Sequence, residues 1–197
     1  MKTEKYMNPD ENMRCGSSLE LVNCVGNGKI PVEIDVRNLS MDMDFETNNL
    51  ANGGLFFKFN EDAPVVRLSR SGNFYISGAS SIDILQKTKE KVLEYLCRCG
   101  ILESPNCSDF SVINMVFTFD VHQDIDLNSL ALSMGLENVE YEPEQFPGLI
   151  YRPDEFSSVI LIFASGKLTI TGVTSENDAK RLVDHFLTKS SDLLQGE

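Results

Sequence analysis

The chain is short of positive charge, of histidine and of long apolar runs. Lysine and arginine total 17 against 30 acidic residues, for a net charge of −13 and a pI near 4.5. Taken alone, that sign argues against nucleic acid, because neutralising phosphates usually needs a basic face. No apolar run reaches the length of a membrane-spanning helix, so none is expected. The opening MKTEKYMNPDENMRCG has no apolar stretch and does not read as a secretory signal, so the expected location is cytoplasmic. The two histidines, His122 and His185, have no Cys, Ser or Asp constellation around them and read as structural or exposed. Cysteine is present at an odd count of five (Cys15, Cys24, Cys97, Cys99, Cys107), which in an intracellular chain points to free thiols. Cys97 and Cys99 are separated by one residue, the wrong spacing for a zinc knuckle, and no second pair follows. No glycine-rich loop sits between a strand and a helix as a phosphate cradle. No cofactor, no metal and no enzymatic activity are expected.

What the chain does contain is repetition. Its 197 residues, 42% of them hydrophobic, suffice for one large domain or two small ones with a proper core. Residues 71–80 (SGNFYISGAS) match 165–174 (SGKLTITGVT), and GLFFK at 54–58 matches GLIYR at 148–152, both at an offset of 94. Farther upstream VNCVGNGKIPVEIDVRNL (22–39) matches INMVFTFDVHQDIDLNSL (113–130) at an offset of 91. Charge is spread unevenly: residues 1–19 are neutral overall, 20–100 carry −2 and 101–197 carry −11.

Each copy has the same plan. An alternating strand (22–27; 113–121) leads to a short helix at DVRNL or DLNSLALS. Alternating strands follow, broken by glycine pairs, with Ser-Gly turns at 71–72 and 165–166. A closing helix ends each copy. Ile82, Ile84, Leu85, Val92, Leu93 and Leu96 are expected to share one helix face, and so are Ala179, Leu182, Val183, Phe186 and Leu187. This predicts an α+β fold with an antiparallel sheet and helices on one face. Alternation then puts Asn114, Val116 and Thr118 on the other face, with Leu161, Phe163, Thr169 and Thr171. Small, β-branched and aromatic side chains with almost no charge mark that face as an interaction surface.

The second copy resembles the C-terminal repeat of the TATA-box-binding protein family, archaeal type. INMVFTFDV (113–121), YEPEQFPGLIYR (141–152) and VILIFASGKLTITG (159–172) carry the likeness, and the first copy is a divergent version. The resemblance implies a saddle: two pseudo-symmetric repeats forming one curved antiparallel sheet, helices on the convex face, DNA minor groove against the concave one. It implies a stirrup phenylalanine and a strand phenylalanine per repeat, here Phe146 and Phe163, as wedges into base steps. It implies base-reading asparagines, here Asn114 and Asn23. Groove-lining residues fall on Val25, Val116, Thr118, Leu161, Thr169 and Thr171, and phosphate-facing cations on Arg152 and Lys167. Glu142, Glu144 and Gln145 fall on the stirrup that grips transcription factor B. The implied partners are A·T-rich promoter DNA, transcription factor B and, indirectly, RNA polymerase, with no membrane.

The chemistry suits the implied surface. In the minor groove A·T pairs present only acceptors, which short amide donors can read. Wedges cost unstacking energy that is offset by the surface bending brings together, and TA-type steps deform readily. A surface of that kind needs little net positive charge. The acidity costs affinity by repulsion, less so in a salt-rich cell where that repulsion is screened.

The first copy departs from the pattern. Ser69 stands where Phe163 does, Asn73 for Lys167, and Arg67 for Leu161, where it could reach a phosphate or spoil an apolar contact. Aligning FETNNLANGG (45–54) with YEPEQFPG (141–148) gives the first stirrup two extra residues and puts Leu50 or Asn52 in the wedge slot. Reduced DNA affinity is therefore expected, and an alternative is a paralogue acting mainly through protein contacts to transcription factor B or at a subset of promoters. The expected division is a polar, disordered tail at 1–18, a first repeat at 19–102, a second at 103–190 and a polar tail at 191–197.

Overall fold

The computed structural model describes residues 18–41, 47–48, 54–106 and 109–194. Cys15, Cys107, Leu50, Asn52 and nearly all of the expected N-terminal tail lie outside the described residues. Among the described residues the chain divides by contacts into Leu21–Met115 and a second unit of residues 18–20 with 116–194.

The first unit takes the strands β1 (Glu20–Lys29), β2 (Thr47–Asn48), β3 (Gly54–Phe57), β4 (Val65–Ser69) and β5 (Asn73–Ala79), with helices α1 (Val36–Met41) and α2 (Ile82–Arg98). The second takes most of β6 (Asp109–Asp120), then α3 (Leu127–Met134), β7 (Val139–Glu140), β8 (Leu149–Tyr151), β9 (Val159–Ile162), β10 (Lys167–Val173), α4 (Glu176–Lys189) and α5 (Ser191–Leu194). Strand order is β2-β3-β4-β5-β1 in one and β6-β10-β9-β8-β7 in the other, the same path run twice. The fold is α+β, with its antiparallel sheet covered by helices on one face. The two-residue edge strands β2 and β7 leave little unpaired backbone for another chain to add to.

Alternation decides which side chains meet the helices. In β4 Val66 and Leu68 are buried while Val65, Arg67 and Ser69 are not; in β10 Leu168 and Ile170 are buried while Lys167, Thr169 and Thr171 are not. Helix α2 packs on β5 and α4 on β10. Both start on a serine whose side chain accepts a backbone N–H from three residues on, within the first turn: Ser81 from Ile84, Ser175 from Asp178, each at 3.1 Å. The α2 stripe is Leu85, Thr88, Val92, Leu93, Tyr95 and Leu96. Ile82 and Ile84, expected in it, are 37% and 38% exposed. Ile84 lies one residue, about 100° of rotation, from Leu85, and Ile82 opens the first turn beyond the stripe. In α4, Ala179, Leu182, Val183 and Phe186 are buried, whereas Leu187 is only half-buried. Residues 191–194, placed in a polar tail by sequence, form α5 and bury Leu194 against the second unit.

The first residues of β6 pack with the first unit. Phe110 stacks on Phe74 at a centroid distance of 6.0 Å and lies under the Lys89 ammonium at 5.3 Å. Gly26 and Gly28 of β1 leave it room, since a Cβ on Gly26 would overlap its ring. His185 is half-buried and shares a 3.1 Å hydrogen bond with the Tyr151 hydroxyl; burial pushes that phenol's pKa up, and Glu155 and Asp154 add to the shift. His122 is exposed beside Asp120. Cys24, Cys97 and Cys99 are free thiols. Among the described residues no cluster could hold a metal ion, and no helix is long and apolar enough to cross a membrane.

The Ser-Gly turns do the same work in both copies. Gly72 (φ 81°) donates to the Ser69 carbonyl at 3.1 Å, and Gly166 (φ 79°) to the Phe163 carbonyl at 2.9 Å. A Cβ on Gly166 would collide with the carbonyl oxygen of Gln123. Gly166→Ala is expected to lower stability by at least about 2 kcal/mol, from left-handed strain plus the collision. Urea unfolding measures it, and a loss under about 0.5 kcal/mol would contradict this account.

Candidate nucleic-acid interface

The faces left uncovered by helices carry the predicted site. In the second unit Val116 and Thr118 of β6, Leu161 of β9, and Thr169 and Thr171 of β10 are half-exposed. Register lines them up: Thr169 pairs with Leu161, which pairs with Ile150 of β8, and Thr171 pairs with Val159. Lys167 is exposed at the near end of β10 and lines a cleft of about 470 Å³ with Thr118, Phe163, Thr169, Ser18 and Glu20. Glu20 puts a carboxylate at the rim of this surface that sequence reasoning missed. Its place beside the second unit comes from tertiary packing of the chain start, which no local pattern encodes.

Phe146 and Phe163 come together at the same end as Lys167, whose carbonyl accepts from the Phe163 amide at 3.0 Å. Their centroids are 5.9 Å apart at an interplanar angle of 65°, an edge contact, and both rings are half-exposed. Gly148 makes the space: a Cβ there would sit 2.8 Å from the Phe146 ring and 3.1 Å from Phe163. The preceding turn is fixed locally. The amides of Gln145 and Phe146 both donate to the Glu142 carbonyl at 2.9 Å, and the Gln145 side-chain amide donates to the Glu142 carboxylate. Glu142, Glu144 and Gln145 are exposed on its outside. Arg152 is exposed and shares a loose 3.8 Å ion pair with Glu140.

Asparagines occupy equivalent places in β1 and β6, both half-buried. The side-chain oxygen of Asn23 accepts from the Gly78 amide at 3.0 Å. A backbone N–H can only be met by the oxygen, so the Asn23 NH₂ group is the end left to act as donor. Asn114 sits one strand over in sequence plan, on the same face as Val116 and Thr118, and Val25 is half-exposed beside Asn23.

The first unit's open face differs. Tyr75, Arg67 and Phe56 form one cross-strand row, where the second unit has Thr169, Leu161 and Ile150. The Arg67 guanidinium lies 5.6 Å from the Phe56 centroid and 5.9 Å from that of Tyr75. Phe56 and Tyr75 were not singled out from sequence, although period-two alternation in GLFFK and SGNFYIS puts both with Arg67. Ser69 is the counterpart of Phe163, since each carbonyl accepts the amide of its own turn glycine; the Ser69 hydroxyl donates to the Asn73 carbonyl at 2.9 Å.

The register corrects the stirrup alignment. Thr47 and Asn48 pair with Phe57 and Phe56, while Val139 and Glu140 pair with Tyr151 and Ile150. Thr47–Asn48 is thus the counterpart of Val139–Glu140, so Phe45 does not align with Tyr141. Residues 49–53 then answer to 141–147, and the first stirrup is two residues shorter, not longer. Hydrogen-bonded register outranks a sequence match of two residues. Leu50 and Asn52 fall in that segment, outside the described residues.

The family model described as "Transcription factor TFIID (or TATA-binding protein, TBP)" matches residues 18–99 and again 109–192. The chain belongs to the TATA-box-binding protein family. TATA-box-binding protein C of Halobacterium salinarum is 37% identical over 182 residues, covering 90% of this chain and 99% of its own. The TATA-box-binding protein of Archaeoglobus fulgidus is 34% identical over 171 residues, covering 85% and 92%. Among solved structures, the Methanococcus jannaschii TBP superposes with a TM-score of 0.79 at 34% identity, over 88% of this chain and 98% of that one. This is an archaeal member of the TATA-box-binding protein family of general transcription factors, and its relatives are named as DNA-binding factors, not as enzymes.

Proposed function

We propose that this protein binds A·T-rich, TATA-like promoter elements through the minor groove and recruits transcription factor B, and through it RNA polymerase, in the cytoplasm. The observation that carries the reading is the Phe146–Phe163 pair, held half-exposed over Gly148 at the end of an uncharged row of side chains. Two rings kept out of the core on a fixed turn suit insertion at a base step, where the cost of unstacking is offset by the wider contact a bend allows. Asn23 and Asn114, with Val25, Val116, Thr118, Leu161, Thr169 and Thr171, would lie on the groove floor. Lys167 and Arg152 would approach phosphates. An electrophoretic shift with an A·T-rich duplex against a G·C-rich control tests this; equal binding to both would end it.

The stirrup's outer carboxylates serve the protein partner in this reading. The double variant E142K/E144K is expected to weaken the complex with transcription factor B at least tenfold while leaving DNA binding unchanged or stronger, because added positive charge favours phosphate. Supershift titration separates the two effects, and an unaltered supershift would refute the assignment.

Ser69 and Arg67 favour a second reading, a paralogue with weak DNA binding that acts mainly through transcription factor B. Stable binding of that factor without DNA, and no stable ternary complex with it, would select this alternative.

A further inference from the structure

In the first unit the strand phenylalanine is replaced by Ser69, the space over Gly54 is taken by Arg67, the counterpart of Leu161, and we infer that Arg67 reads base edges there rather than phosphate. The inference rests on the DNA-binding reading above and goes on to the specificity of one half-site.

Gly54 and Gly148 are counterparts, and each lacks a side chain where another group lies over it. Over Gly148 the groups are the Phe146 and Phe163 rings; over Gly54 it is Arg67, whose Nε would be 3.2 Å and Cγ 3.5 Å from a Cβ. Gly54 pairs with Ser69, so the hydroxyl there leaves the space that Arg67 takes. Arg67 therefore occupies the foot of the missing wedge.

Its head is held in place. Phe56 on β3 and Tyr75 on β5 flank it in register, each ring within 6 Å of the guanidinium carbon. Tyr75 is 38% exposed and Arg67 is exposed, so the clamp opens to the side away from the helices. Among the described residues Arg67 forms no ion pair and donates no hydrogen bond. Its planar fork of five donors, unspent among the described residues, is presented from β4, the middle one of the unit's five strands. A phosphate-binding arginine suits the rim of such a face. In the middle it meets the groove floor, where A·T pairs offer only acceptors and G·C adds the guanine N2 amino donor. Arg67 would accept an A·T pair and oppose a G·C pair. Inosine·cytosine, which lacks that amino group, should pass as A·T.

The test uses the full chain at one fixed salt concentration and a symmetric A·T-core duplex whose outer pairs are A·T, I·C or G·C. Symmetry makes the second unit's contribution common to every protein variant. The wild type is expected to bind the A·T and I·C duplexes alike and the G·C duplex more weakly. In R67L the ratio of A·T to G·C affinity should fall by about tenfold, the scale of one specific side-chain contact to a base edge. In R67K, which keeps charge but not the planar fork, most of that fall should remain. Equal losses on all three duplexes, with a shallower salt slope and rescue by R67K, would overturn base reading in favour of a phosphate contact. No loss in R67L would overturn any DNA role for Arg67. If the wild type does not prefer the A·T-core duplexes to unrelated G·C DNA, the DNA-binding reading itself falls. Thermal unfolding of each variant checks that this surface substitution leaves the fold intact.

Discussion

Replacing Phe163 by alanine is expected to weaken binding to an A·T-rich duplex about ten- to a hundredfold. Base-to-aromatic contacts are worth about 1–3 kcal/mol each, and 1.4 kcal/mol is a factor of ten. Phe163 is half-exposed and follows β9, so the substitution removes little core and stability should change by less than about 1.5 kcal/mol. Phe146→Ala should cost a similar factor. The double variant should cost less than the product of the two, because the rings touch at 5.9 Å and each braces the other. A fluorescent base analogue placed at the wedged step reports the same event directly, brightening when the step unstacks. Full binding by F163A, with normal stability, would remove the wedge from the account.

The second large effect is a gain. Ser69→Phe alone should improve DNA binding less than threefold, since Arg67 fills the space over Gly54 that an added ring needs. In an R67L background the same S69F change should improve binding about tenfold or more, as the ring then has a place comparable to that of Phe163. The measured quantity is the effect of S69F with and without Arg67. Equal effects in both backgrounds would mean the two positions do not compete. The fluorescent analogue should then report unstacking at both ends of the site in the double variant and at one end in the wild type.

Both predictions depend on an asymmetry that was partly legible in the sequence. The repeat, the Ser-Gly turns, the loss of the strand phenylalanine at Ser69 and the charge at Arg67 can all be read along the chain. They are local facts of alternation and turn chemistry, and each copy checks the other. The first stirrup is not legible in that way. Its alignment rested on a few weak matches between gaps, whereas the pairing of Thr47–Asn48 with Phe57–Phe56 fixes it from across the sheet. The exposure of Ile82 and Ile84 escapes the sequence for a similar reason: the helical period gives a direction, but not where the covered stretch of sheet ends.

The sequence by itself determined the family, the doubled α+β plan and the uncharged face of the second repeat. These follow from patterns whose periods are 2, 3.6 and one repeat length. Only the tertiary structure decided what fills the first repeat's wedge. Gly54 and Phe56, Arg67, and Tyr75 lie on three successive strands, and only the register of those strands brings them side by side. The same holds for the orientation of Asn23, fixed by the Gly78 amide 55 residues away, and for Glu20 at the rim of the second unit's face. Cross-strand contacts are set by hydrogen-bonded pairing over long chain separations, and no local period carries that information.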